Sequence, residues 1–205
     1  MTEDNWQRAL AAHPVAIQAL VVGASAGGVS ALLTIFADLP ARFSLPIAVV
    51  IHLPDNRQSM LAEVLGRRLG LPAKEAENHE QLQSGTLYFA APGYHLSVET
   101  DRSFSFSREE PVYFSRPSID FLFESAADAY GAGLAGILLT GANQDGASGL
   151  AAIKQRGGFT VVQDPQDAHV PTMPMAALAL HQPDVVARLA DIRALLVEME
   201  AAHAC

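Results

Sequence analysis

The pattern of apolar positions divides the chain into short continuous runs and longer segments with helical spacing. The continuous runs predict strands that are buried on both faces, and they cover residues 16–22, 46–51, 87–90, 134–139 and 159–162. Other segments carry apolar residues every three or four positions, which predicts helices, at residues 29–36, 60–69, 119–129, 150–157, 175–180 and 185–199. This alternation predicts an α/β fold with a doubly wound, mostly parallel sheet and helices on both faces.

Two parts of the chain depart from that alternation. Residues 94–107 alternate polar and apolar side chains on either side of Thr100-Asp101-Arg102, which predicts one antiparallel hairpin with an exposed face. Residues 1–14 precede the first strand and have the character of an N-terminal leader, in which a short amphipathic helix could end near Pro14. We therefore expect one α/β domain over residues 15–205.

Composition narrows the class of protein. Half of the 205 residues are hydrophobic and 17% are charged, which is enough to form a full core. The net charge of −9 would repel phosphate backbones, so we expect no nucleic-acid partner. Cys205 is the one cysteine, and neither a secretory signal nor an apolar run of about 20 residues is present, so we expect a cytoplasmic protein with no membrane insertion.

Three polar residues follow predicted strands, at the edge where ligands bind in folds of this kind. Ser25 follows the first strand, His52 follows the second, and Asp145 comes a few residues after the run 134–139. We expect the Ser25 Oγ to lie near the His52 Nε2, with Asp145 on the far side of the ring.

Ser25 lies in a sequence of the form G-x-S-x-G, at residues 23–27. A nucleophilic serine must project from a sharp turn between a strand and a helix, and flanking glycines prevent crowding there. The helix that follows would offer its free amides to an oxyanion, with Ala26 as the first donor. A dinucleotide-binding turn fits less well, because Ser25 replaces its second glycine and His52 stands where an acidic residue would bind the ribose.

His52 and Asp145 each allow a second interpretation. Imidazole is well suited to accept a proton near neutral pH, but His52 could also be a hydrogen-bonded histidine at a strand end. Asp145 could orient His52 or be the N-cap of the helix that follows it, and the spacing does not choose between these roles. No metal-binding motif and no cofactor-binding motif is present.

Several segments resemble the bacterial chemotaxis protein-glutamate methylesterases of the CheB type. Residues 22–28 are similar to their nucleophile segment, residues 51–54 to their histidine segment, and residues 139–146 to their L-T-G-x-G-x-D-G segment. Further matches follow the family's order, at residues 91–95, 116–120 and 163–174. The resemblance extends from about residue 16 to about residue 180, and it is more specific than G-x-S-x-G alone.

The resemblance implies that residues 15–205 are a methylesterase catalytic domain of doubly wound α/β fold. Such enzymes hydrolyse glutamyl methyl esters on the cytoplasmic helices of chemoreceptors, without a cofactor, and some also deamidate receptor glutamines. The resemblance also implies that Ser25, His52 and Asp145 form a catalytic triad, and that backbone amides of Ala26 and Ala142 form the oxyanion hole.

The sequence departs from the family pattern in four places. The family usually carries a receiver domain before this one, whereas about 15 residues precede the first strand here, so we expect control by a separate receiver or signalling protein. Ala26 replaces a frequent Thr, Ala142 replaces the usual Met, and Asn143 replaces a Gly. Two alternatives stay open: a non-catalytic module of this fold that binds a receptor or partner, and a hydrolase of another ester or amide.

Overall fold

The structure is a computed structural model that describes residues 3–40, 43–52 and 60–203. Leu53 and Pro54 of the histidine segment, and Cys205, lie outside the described residues. The strands are β1 (Ala19–Ala24), β2 (Ile47–Ile51), β3 (Ala73–Glu75), β4 (Leu87–Phe89), β5 (His95–Val98), β6 (Phe104–Ser107), β7 (Leu134–Leu138), β8 (Phe159–Gln163) and β9 (Val185–Ala187). The helices are α1 (Glu3–Ala11), α2 (Gly28–Ile35), α3 (Leu61–Leu69), α4 (Ile119–Tyr130), α5 (Ala147–Gln155), α6 (Thr172–Leu180) and α7 (Leu189–His203).

The described strands form one parallel sheet of seven and one antiparallel pair. The order across the large sheet is β3-β4-β2-β1-β7-β8-β9, and every neighbouring pair in it is parallel. β5 and β6 form the hairpin. The predicted fold, a doubly wound parallel sheet with one hairpin near residues 94–107, is confirmed.

Both faces of the sheet are covered because its central strands are apolar on both sides. Leu20 and Val22 of β1 belong to a core with α2, α3 and α7, while Ala19 and Val21 belong to a second core with α4, α5 and the hairpin. Successive side chains of a strand point to opposite faces, so one short run of small apolar residues serves both cores. All four of these side chains are essentially inaccessible to solvent.

The sequence predictions differ from the structure at the two edges of the sheet. Residues 185–199 were predicted as one helix, but Val185–Ala187 form the edge strand β9, which pairs with β8 in parallel, and α7 begins only at Leu189. β3 was not predicted, because Ala73–Glu75 contains no apolar run. Edge strands of three residues are defined by the neighbour with which they pair, so the local pattern predicts them poorly.

The N-terminal segment is helical, as the sequence allowed, and packs on α7. Trp6 of α1 is 3% exposed and joins the core beneath α2 and α7. Among the helices that the structure describes, none is both long enough and apolar enough to span a bilayer.

The chain reverses its direction of winding beside β1. The connection through α2 leads to β2 on one side of β1, whereas β7 pairs with the other side. In doubly wound sheets this reversal opens a crevice at the carboxyl ends of the central strands. The residue that follows β1 is Ser25, so the topology alone places Ser25 at this crevice.

Candidate active site

Ser25 and His52 lie side by side at the carboxyl edge of the sheet. The parallel register pairs Ala24 with Ile51, so each of the two residues follows a paired strand end. The His52 N–H donates to the Ala24 carbonyl at 3.1 Å, and the Ser25 N–H donates to the Thr140 carbonyl at 2.9 Å. Neighbouring strands are about 4.8 Å apart, so the structure brings Ser25 and His52 together as the strand ends predict.

The turn that carries Ser25 is held rigidly between β1 and α2. Gly27 has a φ of +83°, and a Cβ at this position would lie 2.6 Å from the His169 Cβ, so the turn requires glycine. The Thr140 hydroxyl donates to the Ala26 carbonyl at 2.8 Å. The loop after β7 therefore fixes the turn in place.

Two backbone amides near Ser25 are free to bind a ligand. Within residues 3–40, 43–52 and 60–203, neither the Ala26 N–H nor the Ala142 N–H donates to a protein acceptor, and the Ser25 hydroxyl has no hydrogen-bond partner. The loop that contains Ala142 touches the serine, because a Cβ on Gly141 would lie 3.0 Å from the Ser25 Cβ. α2 begins at Gly28, so its positive end also faces this region.

His52 is joined to Asp145 by a short hydrogen bond between side chains. The His52 Nε2 lies 2.8 Å from the Asp145 Oδ2, with the histidine side chain 10% exposed and the aspartate fully buried. A carboxylate only accepts, so Nε2 carries the proton and Nδ1 is the nitrogen that can accept one. The expectation that Nε2 faces the serine is therefore wrong, because Nε2 is bonded to Asp145. Nδ1 carries no proton and accepts from the Ser115 hydroxyl at 3.3 Å.

Asp145 caps a helix, but not the helix that follows it in sequence. Its Oδ1 accepts from the Ser118 hydroxyl at 2.8 Å and the Asp120 N–H at 3.0 Å, and its Oδ2 accepts from the Ile119 N–H at 2.7 Å. These groups form the amino terminus of α4. The N-cap of α5 is Gly146, which has no side-chain cap, so the local-cap interpretation of Asp145 is wrong.

The surroundings of Asp145 favour its ionised form. Burial alone would raise the pKa of this carboxyl, but the hydrogen bonds from His52 and from the Ile119 and Asp120 amides outweigh burial and hold the pKa below its usual value. The positive end of α4 acts in the same direction. A negative charge therefore faces His52 at neutral pH.

Asp120 makes the reciprocal contact at the start of α5. Its Oδ1 accepts from the Gly149 N–H at 2.7 Å. Burial, together with the negative charge of Asp145, raises the pKa of Asp120 to about 7. Asp145, which precedes α5, thus caps the amino terminus of α4, and Asp120 of α4 caps the amino terminus of α5.

Sequence reasoning did not assign three of these contacts. Ser118 is the N-cap residue of α4, but its hydroxyl donates to Asp145 and caps no amide of α4. Asp120 was matched within residues 116–120 but received no role, and Ser115 was not singled out. A carboxylate two residues after Ser118, in the first turn of α4, was the available signal for Asp120, whereas Ser115 lies in a loop with no local signal.

The loop with Asn143 in place of the family's glycine keeps an ordinary backbone. Asn143 is not among the residues with a positive φ. Its side-chain oxygen accepts from the Asp145 N–H at 3.2 Å, which closes the turn that leads to Asp145. Among the described residues, no group of three or more His, Cys, Asp or Glu side chains is arranged to hold a metal ion.

The family model described as CheB methylesterase matches residues 20–196. This chain belongs to the CheB methylesterase family. The match confirms the resemblance and the predicted class of enzyme, a methylesterase of chemotaxis signalling.

Named relatives and a solved structure agree with the assignment to the CheB family. A Leptospira interrogans protein, named provisionally as a protein-glutamate methylesterase/protein-glutamine glutaminase, is 44% identical over 89% of this chain and 95% of its own length. A Methanospirillum hungatei protein-glutamate methylesterase/protein-glutamine glutaminase is 41% identical over 80% of this chain but only 47% of its own length. The crystal structure of the Thermotoga maritima CheB methylesterase catalytic domain superposes with a TM-score of 0.84 at 30% identity, covering 90% of this chain and 99% of that one. This chain therefore spans nearly all of one relative and about half of another.

Replacing Asp120 by Asn should change how stability depends on pH. In the wild type the raised pKa means that folding favours the protonated carboxyl. The contribution of this carboxyl to the free energy of unfolding is therefore present below about pH 4 and is lost as the pH rises to about 7. Asparagine can accept the same bond from Gly149 without that loss. We therefore compare the free energy of unfolding of Asp120→Asn with that of wild type at two pH values. We expect this difference to favour the variant by at least about 1 kcal/mol more at about pH 8 than at about pH 5.

Urea unfolding at the two pH values measures this difference. The matched control is Asp38→Asn, since the Asp38 side chain is 89% exposed and should give the same small effect at both pH values. An equal effect of Asp120→Asn at both pH values would contradict a raised pKa for Asp120.

Proposed function

We propose that this member of the CheB family demethylates glutamyl methyl esters on the cytoplasmic helices of chemoreceptors, with Ser25 as nucleophile. The observation that carries the proposal is the buried, ionised Asp145 bonded to His52, on the strand end next to Ser25. Such a carboxylate fixes the ring in one tautomer and stabilises the imidazolium that forms during acyl transfer.

The first half of the reaction acylates the serine. The His52 Nδ1 takes the proton from the Ser25 hydroxyl as the Ser25 Oγ attacks the ester carbonyl. The Ala26 N–H and the Ala142 N–H donate to the oxyanion, which is consistent with their lack of acceptors in the part of the chain that the structure describes. His52 then gives its proton to the departing methoxide, and methanol leaves.

The second half releases glutamate. Water, deprotonated by the His52 Nδ1, attacks the acyl carbonyl, and the proton returns to the Ser25 Oγ when the acyl bond breaks. The same steps on a glutamine amide would release ammonia, which is the second activity in the names of the Leptospira and Methanospirillum relatives. The hydrogen bond between base and nucleophile often tightens only when substrate binds, which fits a Ser25 hydroxyl that has no partner among the described residues.

The setting of the reaction follows from the same proposal. Methylated chemoreceptor helices are the partners, and the cytoplasm is where those helices lie. A separate receiver or signalling protein is a further proposed partner. No cofactor takes part in any of the steps.

Replacement of the nucleophile gives the main test of this proposal. Ser25→Ala should lower the rate of methanol release from a methylated receptor fragment by a factor on the order of 10⁴ or more, since the acyl-enzyme cannot form. Ser30→Ala is the matched control, because Ser30 lies exposed on α2, just beyond the Ser25 turn. A near-normal rate for Ser25→Ala would exclude Ser25 as the nucleophile.

A second serine near His52 calls for a separate experiment. The Ser115 hydroxyl already bonds to the His52 Nδ1, but Ser115 is not at the start of a helix, and its own N–H donates to the Val112 carbonyl at 2.8 Å. A fluorophosphonate should therefore label Ser25 and leave Ser115 unmodified, as determined by mass spectrometry of the proteolytic peptides. An adduct on the peptide with Ser115 would reassign the nucleophile.

A further inference from the structure

A tight turn beside His52 has an unfavourable backbone and two aromatic residues at its tip. Val112 and Ser115 form an isolated antiparallel bridge, with N···O distances of 3.1 Å from Val112 to Ser115 and 2.8 Å from Ser115 to Val112. Between them, Tyr113 has a φ of +48° and Phe114 a φ of +63°. Two positive φ values at the central positions of such a turn favour Asn-Gly, and bulky side chains rarely adopt them.

Packing within the chain does not compensate for this backbone. The Phe114 side chain is fully exposed, at 104% of its reference area, and Tyr113 is 40% exposed. A large apolar side chain that stays exposed on a strained backbone contributes nothing to the stability of the fold. Strained backbone in native proteins is concentrated at functional sites, so the tip indicates a role outside the folded chain itself.

The base of the turn is fixed next to the proposed reaction centre. The Ser115 hydroxyl lies 3.3 Å from the His52 Nδ1. The next residue, Arg116, donates to the carbonyls of Arg108 at 3.3 Å and Glu109 at 3.0 Å, which ties the turn to the preceding segment. The exposed tip is therefore held one residue away from a contact of His52.

An open groove adjoins the tip of the turn at Tyr113. Tyr113 lines a depression of about 350 Å³ together with Gln144, Ser148 and Leu180 of α6. Leu180 is 57% exposed. Tyr113 and the exposed Leu180 thus line one groove, whose wall also includes Gln144, the residue before Asp145.

We propose that the Tyr113–Phe114 tip docks the polypeptide that carries the ester, so that these two residues set preference for a protein substrate over a small ester. The inference rests on the proposed function and deepens it. A small ester needs only the space around Ser25 and His52, whereas a polypeptide whose side chain enters that space must pass over the adjoining surface. The tip and the groove are that surface, and exposed aromatic residues are frequent anchors of protein interfaces.

A double substitution can remove the aromatic side chains while keeping the turn. Tyr113→Asn combined with Phe114→Gly introduces the pair that this turn type prefers. The base of the turn, with the contact between Ser115 and His52, should therefore stay in place, and the melting temperature should not fall. A role of the tip that is only structural would be preserved in this variant.

Two measurements on the variant separate docking from chemistry. The KM for a methylated chemoreceptor cytoplasmic fragment, followed by methanol release, should rise about tenfold or more, while kcat stays within about twofold. The rate at which a fluorophosphonate labels Ser25 should stay close to wild type. The control Val197→Ala, on the exposed face of α7, should leave KM unchanged.

The outcomes distinguish this inference from the proposed function. An unchanged KM would overturn docking at the tip, and so would a fall in both kcat and labelling rate at constant KM, because the turn would then act only through His52. If wild type releases no methanol from the fragment, the proposed function fails. Direct binding then decides the docking proposal: in calorimetry with the fragment, equal affinity of wild type and variant overturns it, and about tenfold weaker binding by the variant supports it.

Discussion

The position of the Asp145 carboxylate determines the arrangement of the whole site. Its two oxygens receive the Ser118 hydroxyl, two amides at the start of α4 and the His52 ring. An unpaired buried carboxylate would be protonated or would destabilise the fold. With these partners the charge is kept, and the ring is fixed so that its Nδ1 is the nitrogen available as a base.

This constraint connects parts of the chain that are far apart in sequence. Asp145 follows β7, His52 follows β2, and the amides come from α4, so the hydrogen bonds form only when the sheet and α4 have both assembled. Asp120 strengthens the link, because it caps α5 while Asp145 caps α4. Burial, together with the nearby charge of Asp145, raises the pKa of Asp120 and keeps this carboxyl protonated over much of the acidic range.

The sequence predicted the parts of this arrangement that depend on local pattern. Short apolar runs predicted the central strands, and their ends predicted that Ser25 and His52 would lie together, because parallel strands end at one edge. The sequence did not predict that Asp145 would cap α4 and not α5. That contact depends on how two helices distant in the chain pack against each other, and it also determines which ring nitrogen of His52 remains free. β9 and the role of Ser115 were missed for the same reason, since each is defined by a partner elsewhere in the chain.

Kinetics of the Asp145→Asn variant test most directly whether this carboxylate organises the site. The amide can occupy the same space, but it carries no charge. Its NH₂ group cannot accept a hydrogen bond from the His52 Nε2–H, so the ring would no longer be held in one tautomer. We expect methanol release from methylated receptor to fall by a factor on the order of 10³ to 10⁴, with the folded state retained by circular dichroism. A rate within about tenfold of wild type, which is a change of only about 1.4 kcal/mol in the barrier, would contradict a central role for the charge of Asp145.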